Sequence, residues 1–494
     1  MSLNTSTALA SKLPQAKDLS HLLVPTFRIH QKSPFKAVMG TPTHDMINMA
    51  GGVPHPSTFP LEQIQATVRA PSHAALGRAG TLSLERTQAS GSTESLNELL
   101  QYNDGRGMAS YCRFLRKFTE QTHAPPYADW DVVASCGNTD SIAKAVSLFC
   151  QQGDHIIVEQ YSFPGALSNL VFAKVKPVPV AMDSEGVDPV ALDSLCSSWT
   201  GVTPLRAIYM IPTGQNPTGA TMSLARRKAL YAVAQKHDLV IIEDDPYYFL
   251  QLDPMPDTQE AAATDMSKLP LVPSLLSLDT DGRVIRLDSF SKILAPNLRC
   301  GWITAPAYIQ DRMQILNEST ILQPSGLTQG VISRLLNDTW GIEGWNEHLN
   351  SLRAAYSARR NLFVTLAHKH LAGLATFTVP TAGMFLWMRI DLGDAAADAT
   401  AMPRLLDAMK KGGVMMAPDI PFRVTNAAAA AAPERFLRAA FALAETDMFE
   451  PALERLARAI ASIRGSELQD TQSDTCAEPI DTMAPAPIAV NSST

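Results

Sequence analysis

Lys292 closes the run Ser289-Phe-Ser-Lys292, and Arg299 follows seven positions later. A lysine forms a Schiff base only when it is partly neutral, and burial or nearby cationic charge moves it toward that state. The hydroxyls of Ser289 and Ser291 and the guanidinium of Arg299 are donors suited to a phosphate. The ligand such a group fits is an aldehyde that carries a phosphate. A solvated surface lysine is the competing description. It fits poorly a residue that follows a β-rich run and precedes Arg299 and Gly301-Trp302.

Three more polar clusters stand after short apolar runs: Gly137-Asn138-Thr139-Asp140, Pro212-Thr-Gly-Gln-Asn216-Pro-Thr-Gly219 and Glu243-Asp244-Asp245-Pro246-Tyr247. The runs themselves, residues 132–134, 155–158, 207–211, 239–242, 284–287 and 301–303, are brief and β-rich. Between the first two, Ile142, Val146 and Phe149 recur at near-helical spacing, which predicts a helix over 141–150 that covers a sheet. The alternation reads as an α/β domain with a parallel sheet. Ligands of such sheets gather outside the carboxyl ends of the strands, where all four clusters fall.

The chain has 494 residues, 46% hydrophobic and 18% charged, enough for a large core and two or three domains. A formal net charge of -7 provides no basic field for nucleic acid or an anionic membrane. No apolar run approaches the roughly 18 residues of a membrane span. Six cysteines without paired or metal-ligand spacing suit a reducing compartment, with the cytoplasm as the expected location. Residues 1–35 and 465–494 are polar and weakly patterned, and are expected to be a flexible leader and a disordered tail. The six alanines 427–432 read as a surface insertion. The short leader leaves no room for a DNA-binding domain.

Six landmarks in order, Ala50-Gly-Gly-Val-Pro-His-Pro-Ser-Thr-Phe-Pro60, Leu100-Gln-Tyr102, 212–219, Ile242-Glu-Asp-Asp-Pro-Tyr-Tyr-Phe-Leu250, 289–292 and Phe436-Leu-Arg438, carry a family likeness. Over residues 45–456 the chain resembles the class I/II aminotransferases of pyridoxal 5'-phosphate (PLP) fold type I. It is most similar to the branch of aromatic-amino-acid and kynurenine/2-aminoadipate aminotransferases. The resemblance implies a large PLP-binding domain over 96–335 with a mostly parallel sheet. It also implies a smaller α+β domain built from an N-terminal segment, 36–95, and a C-terminal one, 336–464. The implied reaction moves an amino group from an amino acid, aromatic in this branch, to a 2-oxo acid by a ping-pong mechanism. Kynurenine or 2-aminoadipate as donor, or a lyase, synthase or decarboxylase on the same fold, are the alternatives.

By the same resemblance Lys292 is the Schiff-base lysine and proton shuttle, and Asp244 pairs with the pyridine nitrogen so that the ring can draw in electrons. Tyr247 and Asn216 hold the cofactor's phenolic oxygen, and Phe163 stacks on its ring. Ser289, Ser291, Arg299, Asn138 and Thr139 take the phosphate, the last two at a helix N-terminus. Arg438 takes the substrate α-carboxylate, with Asn216 beside it, and Gly52 belongs to a segment that closes over substrate. Tyr102 reaches the phosphate of a neighbouring subunit, which implies a homodimer with shared sites. The stretch Ala417-Pro-Asp-Ile-Pro-Phe422 departs from the family pattern and bears on specificity.

Overall fold

The computed structural model describes residues 13–28, 52–72, 78–87, 93–255, 270–424 and 435–465. An antiparallel hairpin of β1 (Gln63–Arg69) and β2 (Arg78–Glu85) precedes helix α1 (Ala109–His123). The central sheet then begins with β3 (Trp130–Ser135), helix α2 (Asn138–Phe149), β4 (His155–Glu159) and β5 (Lys176–Val180). A small ribbon, β6 (Met182–Asp183) with β7 (Gly186–Val187), is followed by β8 (Ala207–Met210), β9 (Val240–Asp244), β10 (Val284–Ser289) and β11 (Gly301–Pro306).

All six apolar runs are strands of one seven-stranded sheet, in the order β3-β11-β10-β9-β8-β4-β5. Its inner strands β8 to β11 are buried throughout because apolar clusters cover both faces, which is why they read as continuous apolar runs. Helix α2 buries Ile142, Val146 and Phe149, the predicted inward face. The sheet is mostly parallel, but β11 runs antiparallel to both β10 and β3. The 290–300 connection is a turn with a short 3-10 segment, too short for the crossover that a parallel return requires. That turn therefore keeps Lys292 and Arg299 at the carboxyl end of β10. The seventh strand, β5, escaped the sequence reading because Pro177 and Pro179 interrupt it; prolines are tolerated there because β5 is a sheet edge.

A long helix, α3 (Gly341–His370), leads into a second sheet of β12 (Ala375–Phe377), β13 (Phe385–Ile390), β14 (Ala417–Pro418) and β15 (Phe436–Ala440), ordered β12-β13-β15-β14 and wholly antiparallel. Helix α4 (Phe449–Arg464) buries Leu453, Leu456 and Ile460 beside it. Of the expected N-terminal part of this smaller domain, 36–95, residues 36–51, 73–77 and 88–92 lie outside the described residues. Leu82 and Leu84 of β2 pack with Leu96, Leu99, Leu335 and Trp345, against segment 326–339. Part of the leader is packed. Leu19, Leu22 and Leu23 join the main core, Val24 donates to Leu148 O (2.8 Å) and Lys17 donates to Asp281 O (2.9 Å), so residues 13–28 are docked. Enough leucines fall together there to repay the ordering of a short segment. The alanine run, the rest of the leader and the tail beyond 465 lie outside the described residues.

Candidate active site

The turn after β10 is laced from within. Ser289 Oγ donates to Ser291 Oγ (2.9 Å) and accepts from the Ser291 N–H (3.1 Å). Arg299 donates through Nη1 to Ser291 Oγ (3.3 Å) and Pro296 O (2.9 Å), and through Nη2 to Cys136 O (3.0 Å). The guanidinium thereby ties this turn to the loop between β3 and α2. Gly137, at φ +86°, caps that helix, and a Cβ there would sit 2.8 Å from Arg299 Nη2, so glycine is required twice over. Just beyond it, the N–H groups of Asn138 and Thr139 have no acceptor among the described residues. Two free amides, the positive end of a helix, two serines and an arginine make an anion cradle.

Lys292 is half-buried and its amine has no hydrogen-bond or ion-pair partner among the described residues. Burial, and after it the charges of Arg438 and Arg299, hold its pKa below the usual lysine value. The amine is thus more often neutral than an exposed lysine, as a nucleophile or base requires.

Asp244 ends β9, only 3% exposed. Asn138 Nδ2 donates to its Oδ1 (2.6 Å) and Tyr209 Oη to its Oδ2 (2.7 Å). Burial pushes its pKa up to about 6, and these two donors oppose that rise. Its neighbour Asp245 is engaged by Thr213 and Arg286, both at 3.1 Å, which leaves Asp244 as the carboxylate of the site. Tyr247 is buried edge-on to Phe385, and its hydroxyl has no partner among the described residues. The Asn138 side chain is committed to Asp244 and to Leu287 O (3.1 Å), while its backbone N–H, at the helix N-terminus, stays open to an anion.

Asn216 and Arg438 meet across the two domains: Arg438 Nη1 donates to Asn216 Oδ1 at 2.6 Å. The guanidinium lies over Phe385 (4.2 Å) and Phe422 (4.8 Å). Its Nε is buried without a partner in the described structure. The loop that presents Asn216 is pinned from below, where Gln215 Nε2 donates to Glu159 Oε2 (2.9 Å) and Tyr161 O (2.6 Å).

A lysine held toward neutrality, a buried carboxylate, an anion cradle and a seated guanidinium converge on one sheet edge, and the family model of aminotransferase class I and II matches residues 76–456. The chain belongs to that family. This aminotransferase is 36% identical over 394 residues to an aromatic amino acid aminotransferase of Schizosaccharomyces pombe, covering 76% of this chain and 83% of the relative. It is 34% identical over 449 residues to an L-tyrosine:2-oxoglutarate aminotransferase of Tapinella panuoides, with 84% and 85% covered. The crystal structure of aminotransferase Aro8 from Candida albicans superposes with a TM-score of 0.85 at 33% identity, covering 92% of this chain and all of that one. The family depends on PLP.

Other assigned residues of the aminotransferase stand further out. Thr139 is exposed at the start of α2, and Phe163 is half-buried as the N-cap of the helix Pro164–Ala173. Tyr102 is 59% exposed and lines a surface groove of about 430 Å³ with Pro54, Phe59 and Leu322. Gly52 is exposed, with no atom within 4 Å of an added Cβ. Tyr209, Phe385 and Phe422 received no role from the sequence. Tyr209 was visible as a lone hydroxyl in an apolar strand, whereas the aromatic seat of Arg438 is assembled from segments that only the fold brings together.

Proposed function

We propose that this aminotransferase moves the amino group of an aromatic amino acid (tryptophan, phenylalanine or tyrosine) to a 2-oxo acid, 2-oxoglutarate or an aromatic one, in a ping-pong cycle with PLP. The observation that carries the donor class is the seat of Arg438, a carboxylate-binding guanidinium between two phenylalanine rings. Around it Trp387 stacks on Phe436 and meets Phe422 and Tyr161 edge-on, an apolar aromatic wall suited to an aromatic side chain. The names of the Schizosaccharomyces and Tapinella relatives agree with this class and with 2-oxoglutarate as acceptor.

The residues fit the cofactor on several counts. Free N–H groups at Asn138 and Thr139, with the Thr139 hydroxyl, Ser289, Ser291 and Arg299, suit a phosphate. Buried Asp244 suits a protonated ring nitrogen, Asn216 and the partnerless Tyr247 hydroxyl suit a phenolic oxygen, and Phe163 suits a ring face. When bound, PLP supplies an aldehyde that condenses with amines and a ring that draws electrons from the substrate's Cα. Asp244, as a carboxylate, would keep the ring nitrogen protonated. Lys292 would hold the aldehyde and, when its amine is free and neutral, would serve as the base for the substrate Cα proton, the resulting ammonium being the proton donor. Arg438 grips the α-carboxylate and fixes the Cα–H bond for that transfer. Gly52 lies on the segment that closes over substrate and excludes water.

We further read the protein as a cytoplasmic homodimer with shared sites. Tyr102 has an exposed ring whose hydroxyl meets no partner among the described residues, which suits a reach into a second subunit. Five described cysteines are free thiols, and no helix among the described residues is long and apolar enough to cross a membrane.

A half-reaction tests the reading. Purified protein with PLP and no acceptor is expected to lose the cofactor's visible absorbance when an aromatic amino acid is added, and to release the matching 2-oxo acid. If no amino acid changes the band, or if carbon dioxide or ammonia appears in place of the oxo acid, the assignment is wrong.

A further inference from the structure

We propose that Asn138 and Tyr209 form a two-donor clamp that keeps Asp244 charged for the ring nitrogen of the cofactor, acting as positioning residues. The inference rests on the cofactor reading above and extends it to two side chains that never touch substrate.

The two donors bind different oxygens of one carboxylate, at 2.6 Å from Asn138 and 2.7 Å from Tyr209. Tyr209 is 1% exposed and sits in the main apolar cluster with Val158, Ile211 and Ile242. A buried hydroxyl costs free energy unless it is bonded, and among the described residues this one bonds only Asp244. A phenylalanine would fill the same space, so the hydroxyl serves the carboxylate and not the packing. The Asn138 amide is oriented by a second bond to Leu287 O (3.1 Å). Asn138 is also the first residue of α2, whose free N–H belongs to the anion cradle. One residue thus links the phosphate end of the ligand to its ring-nitrogen end.

Other groups facing Asp244 do not replace the clamp. Arg286 on β10 favours its charge from a distance, but is itself bonded to Asp245 and Asp288. Asp245 opposes it, and Glu159 on β4 and Tyr247 beyond β9 both feel the Asp244 charge as unfavourable. With burial against it, the carboxylate keeps its charge near neutrality through the two short donors.

The test uses the full-length apoprotein and 4'-deoxypyridoxine 5'-phosphate, which has the ring and phosphate but no aldehyde, so Lys292 chemistry does not enter. Affinity for this probe is measured against pH for wild type, Y209F, N138S, the double variant and D244N, with thermal melting of each. The clamp predicts roughly tenfold weaker binding at neutral pH for each single variant and a larger loss for the double. In wild type the acid-side loss of affinity falls as Asp244 takes up a proton near pH 6. Y209F moves that loss up by about one pH unit, while D244N keeps only the titrations of the probe's own phosphate and hydroxypyridine ring. Unchanged affinity and midpoint in Y209F and N138S overturn the proposal. So does a lowered melting temperature with an unmoved midpoint, the signature of a merely structural role. If wild type does not bind the probe at all, the cofactor reading itself fails and this inference falls with it.

Discussion

Asp244 is held by two hydrogen bonds from elements of its own sheet and covering helix, whereas Arg438 is held by two aromatic faces and one hydrogen bond that crosses from the small domain to the large. The cofactor side is likewise made of strand ends and a helix start: Asp244 on β9, Ser289 on β10, Asn138 on α2. The substrate side draws on the 212–219 loop, the 3-10 turn Ile420–Phe422 and strand β15 of another sheet. On the proposed assignment, rigid elements hold the groups for the chemistry, and loops with a domain junction hold those that select the amino acid, so the first could stay constant while the second drifts.

Breaking the cofactor side should cost most. Lys292→Ala is expected to lower the half-reaction by roughly 10⁴-fold or more, since nucleophile and proton carrier vanish together, while the folded protein still binds 4'-deoxypyridoxine 5'-phosphate. A residual rate near wild type would place the base elsewhere. Asp244→Asn comes next, with a loss on the order of 10³-fold in kcat for every donor alike. On the substrate side, Arg438→Lys keeps the charge but not the planar fork, and about 10²-fold in kcat/KM should be lost with cofactor affinity unmoved. If that variant also loses the cofactor, the two sides are not separable. Phe422→Ala is expected to change the ranking of aromatic against aliphatic donors by about tenfold, with kcat on the best donor little altered.

The smallest effect concerns stability. Burial raises the Glu159 carboxyl to about 8, despite its bonds to Gln215 and the Ile211 N–H. An acid with a raised folded-state pKa binds more protons folded than unfolded, so stability falls as pH climbs from the ordinary glutamate range to about 8 and then levels off. Glu159→Gln mimics the protonated form. Melting temperatures across pH 5 to 9 should show that variant matching wild type at the acid end and exceeding it by a few degrees at the alkaline end. Parallel curves for the two proteins would show that Glu159 is not the group responsible.

The sequence made the cofactor side legible because each of its groups follows an apolar run that ends at the same sheet edge. Lys292 and Arg299 could be named from local spacing, whereas Asp244 and Tyr247 took their roles from the family resemblance. Arg438 was found through its motif, but its ring contacts were not, since Phe385 and Phe422 reach it only after β13 and β15 pair and a turn folds over them. Asn138 was read only as a helix-start amide, and the bond of its side chain to Asp244 was not legible because it depends on how α2 lies against β9. The docking of Leu19, Leu22 and Leu23 was hidden in a polar stretch too short to show a period.

The prolines of β5 have a consequence for assembly. Pro177 and Pro179 bring no N–H to the outermost strand of the central sheet, so a strand from another molecule meets an edge with two donors missing. Backbone pairing with a further strand is thereby disfavoured at the β5 edge.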